Sequence, residues 1–295
     1  MKLTRRKFIG TAAALGAGGA MSHLDAATPP APPPAPAPKR AATVEQTTAD
    51  AVRYFTARGY ARIAAAPLVT GLPFNGGLNF GEHFSPAADG LFVVQPCARV
   101  EDAAKPDKTG FLPLFTMFAF SPSAKISKPH RTRLALEFLT GALGLDPWRL
   151  RITSTELVKP LFPIFERFGV SEAQVRMRPL DEARSDGAGS GWFAPAGHPD
   201  SPAYATFSIE YVLGNGVEIE IAEIAVDATT PYHGGAALGL ERVTMARNDR
   251  LMTWKEQLPA FRKAVEENAR QTGRPLPDGY YTILGITPPG KAAPG

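Results

Sequence analysis

The stretch that most limits what this chain can fold into runs from Phe207 to Ile224. Phe207, Ile209, Tyr211 and Leu213 alternate with other residues up to Asn215-Gly216, and the alternation resumes at Val217, Ile219 and Ile221. Two period-two runs joined at Asn-Gly predict an antiparallel hairpin, with a type I′ turn in which Asn215 and Gly216 are the central residues at positive φ. Successive strand side chains point to opposite faces, so Val217, Ile219 and Ile221 are expected on one side and Glu218, Glu220 and Ala222 on the other. Two carboxylates thereby share a sheet face.

Helical periodicity surrounds this hairpin. Val44, Ala51, Val52 and Phe55 predict an amphipathic helix over 44–58 that ends at Gly59, and Leu136, Leu139 and Leu143 predict a second over 131–143 that stops at Gly144. A further helix is expected over 254–271. Apolar runs at 91–94 and 114–120, bounded by Gly and Pro, read as strands that could pair. Helices around an antiparallel sheet place the chain in the α+β class. No Pro- or Ser-rich linker divides residues 42–288, which read as one domain.

The N-terminus reads differently. Thr4-Arg5-Arg6-Lys7-Phe8-Ile9 precedes a weakly apolar Ala/Gly run to Met21, with no acidic residue before Asp25. That layout predicts a cleavable twin-arginine signal over 1–27, and the run is too short for a membrane-spanning helix, which needs about 20 apolar residues. The expected destination is periplasmic or otherwise extracytoplasmic, with the twin-arginine translocase as a transient partner. Residues 28–41, almost wholly Pro and Ala at first, read as an extended spacer, and 289–295 as a loose tail. Removal of residues 1–26 leaves 28 basic against 27 acidic residues. A nearly neutral chain lacks the clustered basic face that a nucleic-acid backbone requires, so tRNA is disfavoured as a partner. Cys97 is the sole cysteine. No intrachain disulfide can form, and the thiol reads as inert and buried. His83, His130, His198 and His233 have no zinc-site spacing.

Several short motifs follow one another in a fixed order: Gly59-Tyr60, Cys97-Ala98-Arg99, Phe115-Thr116-Met117, Phe138-Leu139-Thr140 with Gly144-Leu145, Ile219-Glu220-Ile221-Ala222-Glu223, and Gly239-Leu240-Glu241-Arg242. Singly, Arg99 and Arg242 read as surface ion-pair residues, Glu220 as a carboxylate on a solvated sheet face, and Trp192 as a partly buried core residue. As an ordered series over roughly residues 50 to 250, they resemble the catalytic core of class II aminoacyl-tRNA synthetases of the alanyl type.

The resemblance implies a class II antiparallel sheet flanked by helices, in an ATP-dependent, adenylate-forming ligase. It implies that Arg99 contacts the ATP α-phosphate and the amino-acid carboxylate, that Arg242 holds the γ-phosphate, and that Glu220 holds a Mg²⁺ bridging phosphates. Guanidinium groups suit these tasks because they bind oxyanions through two parallel hydrogen bonds. Trp192 would line the amino-acid pocket, and Glu223 would supply a carboxylate where the family has Asn. Class II cores also imply a homodimer.

Departures from the family pattern matter as much. Leu112-Pro113-Leu114 replaces the segment that frames ATP, Thr116 replaces a Glu close to the adenine, and Gly235-Ala236-Ala237-Leu238 replaces the stretch whose acid takes the substrate's amino group. Some 50 residues follow Arg242, where family members continue into tRNA-recognition and editing domains. The expected acceptor is therefore not tRNA. Two functions stay open: activation of a small amino-acid-like carboxylate with ATP, or an exported relative that binds an amino acid or related metabolite without turnover.

Overall fold

The computed structural model describes residues 41–69, 90–99, 110, 112–122, 128–187, 189–193, 204–226, 235–274, 276, 281, 285 and 287. The expected signal, residues 28–40 of the spacer and the tail, together with His83, His198 and His233, lie outside the described residues. Residues Arg40–Gly295 cluster as one unit. Among the described residues the strands are β1 (Ala61–Arg62), β2 (Gly90–Ala98), β3 (Leu114–Pro122), β4 (Leu150–Ser154), β5 (Val175–Met177), β6 (Trp192–Phe193), β7 (Tyr204–Val212), β8 (Glu218–Ala225) and β9 (Ala236–Gly239). The helices are α1 (Val44–Thr56), α2 (Lys128–Leu136), α3 (Phe162–Arg167), α4 (Leu180–Asp186), α5 (Leu240–Asn248) and α6 (Trp254–Thr272). The chain is α+β, a mixed nine-stranded sheet flanked by helices.

The sheet runs β1-β2-β3-β9-β8-β7-β4-β5, with β6 added to β7. It is antiparallel from β2 to β4, as the sequence predicts, but β1 joins β2 and β5 joins β4 in parallel. The expected strands at 91–94 and 114–120 are longer than their apolar runs and pair directly, Phe92 against Phe120 and Cys97 against Phe115. Pairing carries polar residues into a strand that apolarity alone would cut short.

One face of the sheet holds the main core. Phe55 of α1 is fully buried, with its ring centroid 4.9 Å from Phe118, 4.5 Å from Phe120 and 5.5 Å from Phe138. Rings at such separations interlock by offset and edge contacts, which fixes α1 across β3. Thr43 and Gln46 cap the start of α1 reciprocally, the Gln46 N–H donating to Thr43 Oγ1 and the Thr43 N–H to Gln46 Oε1. The predicted helix over 131–143 begins earlier, at Lys128, and beyond Leu136 it widens into a π-turn over Glu137–Ala142 that buries Phe138 and Leu139. Leu240, Val243 and Met245 of α5 join the same core, while Phe261 and Val265 of α6 pack with Leu68, Ala98 and Leu114 in a smaller cluster.

The 207–224 hairpin forms, with a different turn. The Gly216 N–H donates to the Leu213 carbonyl at 2.8 Å, which makes Gly214 and Asn215 the central residues. Gly216 follows at φ +82°, and Asp249 is the one non-glycine residue at positive φ among those described. The connection is thus a type I turn closed by a left-handed glycine, a three-residue loop rather than the expected type I′ pair. A second correction concerns faces. Ile209 pairs with Ala222 but Glu210 pairs with Glu220, so Ile221 is an extra residue, a β-bulge in β8. Ala222 accordingly lies with Ile209 in the core and not beside Glu220.

Candidate functional site

The bulge at Ile221 decides the composition of the sheet face opposite the core. Strict alternation would send Glu220 and Glu223, three residues apart, to opposite sides. With one residue bulged out, Glu220 pairs with Glu210 and Glu223 with Ser208, so the two glutamates share a face. On β4, Arg151 stands opposite Glu210 and Thr153 opposite Ser208. The floor so formed carries Thr153, Thr206, Ser208, Glu210, Glu220 and Glu223. Segment 189–193 crosses it. The Gly189 N–H donates to Glu223 Oε1 at 3.1 Å, and Gly191 passes so close that a Cβ there would lie 2.8 Å from the Ser154 Cα. At φ +105°, Gly191 also has a backbone that L side chains rarely adopt.

Burial governs the electrostatics of this floor. Desolvation pushes the Glu223 carboxyl up to about 7; neighbouring Glu220 adds to the rise, while the Gly189 N–H and the Thr206 hydroxyl offset part of it. Glu210 is also held at about 7, first by burial and then by Glu220 across the strand pair. Thr153 and Arg176 favour its charged form, although neither Thr153 Oγ1 nor Glu210 Oε2 has a partner within hydrogen-bond geometry. Ser208 Oγ has none either, and Ser208 is completely buried. Like charges placed directly opposite on paired strands oppose folding, and buried polar atoms without partners cost about 1–3 kcal/mol each. Such a concentration makes this face the candidate functional site.

Arg242, in the first turn of α5, reaches back to the floor. Its Nε donates to the Gly110 carbonyl at 3.1 Å, and its Nη1 donates to the Glu220 carbonyl at 3.2 Å and to Glu220 Oε2 at 3.4 Å. The structure therefore joins Arg242 and Glu220, two residues that the sequence separates by 22 positions. Arg99 follows directly on β2, its N–H donating to the Pro113 carbonyl and its guanidinium lying 5.1 Å from the Phe115 ring centroid. Phe115 lies two residues along β3 from Met117, which pairs with Gly239, the residue that leads into α5. Only β3 separates β2, which Arg99 follows, from β9, which leads into α5 and Arg242.

Trp192 adjoins β7. It lies in β6 opposite Ala205, packs against the main core and carries the Arg184 guanidinium 4.7 Å from its ring centroid. Thr116 donates its N–H to Glu241 Oε2 at 2.7 Å, so the Glu of Gly-Leu-Glu-Arg serves the backbone of β3. Burial pushes the Glu241 carboxyl up to about 7 and the Cys97 thiol up to about 12, which leaves Cys97 a poor nucleophile. Reading from sequence missed Glu210 and Ser208. Their signal was present, since both occupy the out-of-phase positions of the Phe207–Leu213 alternation.

No protein-family model and no curated protein matches the sequence. Among solved structures, the chain is similar to an aspartyl-tRNA synthetase from Entamoeba histolytica, at 14% identity and a TM-score of 0.39 over 69% of this chain and 54% of that one. It is also similar to the apo histidyl-tRNA synthetase of S. aureus, at 10% identity and a TM-score of 0.40 over 68% of this chain and 64% of the other. The chain spans less than two thirds of either structure. These are likenesses of fold.

Proposed function

We propose that the chain is a class II synthetase-like domain that binds a small amino-acid-like zwitterion on the floor of its sheet. The ligand's carboxylate is met by Arg99 and Arg242, and its ammonium by Glu220 and Glu223. One observation carries this reading: Arg242 and Glu220, of opposite charge, meet over a sheet face on which Glu210 and Glu223 are desolvated. A zwitterion needs both signs within a few ångströms, and a guanidinium is the side chain best shaped to grip a carboxylate. In solution the Arg242–Glu220 pair would hand one partner to each end of the ligand.

Adenylate formation is the second reading, supported by Arg99 just beyond β2 and Arg242 in the first turn of α5. Magnesium is commonly held by one or two carboxylates together with substrate phosphates, so Glu220 would hold the metal while Arg99 and Arg242 hold the phosphates. Mg-ATP would supply the anhydride that activates a carboxylate. The chain's own residues would position the two reactants, and the acceptor would be a carrier or small amine rather than tRNA. A twin-arginine export signal, a periplasmic location and a homodimer belong to the same proposal. An ATP-free destination favours binding without turnover.

Calorimetric titration of the full chain with amino acids, with and without Mg-ATP, tests both readings. Arg99→Ala and Arg242→Ala are each expected to weaken amino-acid binding by about 2–4 kcal/mol, because the ligand's charge loses a charge-assisted contact in a dry site. Nucleotide binding that depends on Arg242, with amino-acid-dependent pyrophosphate exchange, would select the ligase. Amino-acid affinity unchanged in both variants would reject the zwitterion site.

A further inference from the structure

Three buried polar atoms without a partner in hydrogen-bond geometry lie on one part of the floor, Thr153 Oγ1, Ser208 Oγ and Glu210 Oε2, with Thr153 near enough to Glu210 to favour its charged form. Thr153 and Ser208 are direct cross-strand partners, and Glu210 lies two residues from Ser208 on the same face. Cross-strand side chains of this kind have Cβ atoms about 5 Å apart, so the three groups can reach a common point. Thr153 is 4% exposed and Ser208 0%, so bulk water does not satisfy their hydroxyls. Nearby positive charge is engaged elsewhere. Arg151, opposite Glu210, donates to the Trp148 and Leu150 carbonyls; Arg176 pairs with Glu218; and Arg242 pairs with Glu220. Among the described residues neither Glu210 nor Glu223 makes an ion pair.

A primary ammonium has three N–H donors and one positive charge. The patch offers three acceptors, one of them on a carboxyl group that lacks a cation. We propose that Thr153, Ser208 and Glu210 form a subsite for a second ammonium group on the ligand, so that the substrate class is a diamino acid or related diamine rather than a small neutral amino acid. This rests on the zwitterion reading above, with the α-ammonium at Glu220 and Glu223 and the side-chain ammonium at Glu210. The raised carboxyl of Glu210 agrees with it. Near neutral pH an unliganded site is partly protonated, and an arriving ammonium would release that fraction.

The full chain is titrated calorimetrically near neutral pH with L-ornithine and with its neutral isostere L-norleucine, then with 1,4-diaminobutane, in buffers of different ionisation enthalpy. L-Ornithine is expected to bind at least tenfold tighter than L-norleucine, with release of protons to the buffer, and Glu210→Gln to abolish that ratio. Ser208→Ala, a smaller change, is expected to reduce it several-fold. Equal affinity for ornithine and norleucine, or an unchanged ratio in Glu210→Gln, overturns the subsite and leaves amino-acid binding standing. Binding of 1,4-diaminobutane without binding of any amino acid supports the subsite and rejects the carboxylate contacts of Arg99 and Arg242. Binding of none of these compounds rejects both.

Discussion

Replacing Glu223 by Gln should stabilise the protein in alkaline solution and change little in acid. In the folded chain this carboxyl is held at about 7 against an ordinary value of 4.5, chiefly by burial and then by Glu220. A folded-state value above the unfolded one means that the folded chain keeps a proton which the unfolded chain releases. The resulting stabilisation is full below 4.5 and is lost as the pH rises through about 7. At 1.36 kcal/mol per tenfold, the penalty for burying the charged form approaches about 3 kcal/mol, most of it developing between about pH 5 and pH 8. Gln removes the charge, and its amide oxygen can still accept from the Gly189 N–H and the Thr206 hydroxyl, which now hold Glu223 Oε1. Urea unfolding at the two pH values measures the effect. The variant's gain should be larger by about 2 to 3 kcal/mol at the higher pH. An equal difference from the parent at both would refute the claim that Glu223 is a desolvated acid.

Phe55→Ala should cost about 3–5 kcal/mol, since the fully buried ring touches Phe118, Phe120 and Phe138 and its loss leaves a cavity between α1 and β3. An unfolding free energy within about 1 kcal/mol of the parent's would show that α1 does not pack there. Gly216→Val should cost about 1–3 kcal/mol, because φ +82° forces a β-branched side chain into the left-handed region, and an unchanged thermal midpoint would contradict the turn. Replacing both Arg5 and Arg6 by Lys should retain the protein in the cytoplasm; undiminished export of the double variant would remove the twin-arginine proposal.

The sequence by itself determined the apolar side of the hairpin up to the bulge, because Phe207, Ile209, Tyr211, Leu213 and Ile219 must be buried and period two leaves a single way to do it. It also marked α1, through Val44, Ala51 and Phe55. What it could not fix was any feature set by a partner distant in the chain. Asn215-Gly216 reads as a two-residue turn, yet the Asp249 carboxylate accepts the Gly214 N–H at 2.6 Å and pairs with Arg149, which draws Gly214 into the loop. Likewise the bulge at Ile221 exists only where β8 meets β7, and without it Glu223 would face the core. Side-chain chemistry is local and can be read along the chain, but which carboxylates share a dry floor depends on register, which tertiary pairing alone decides.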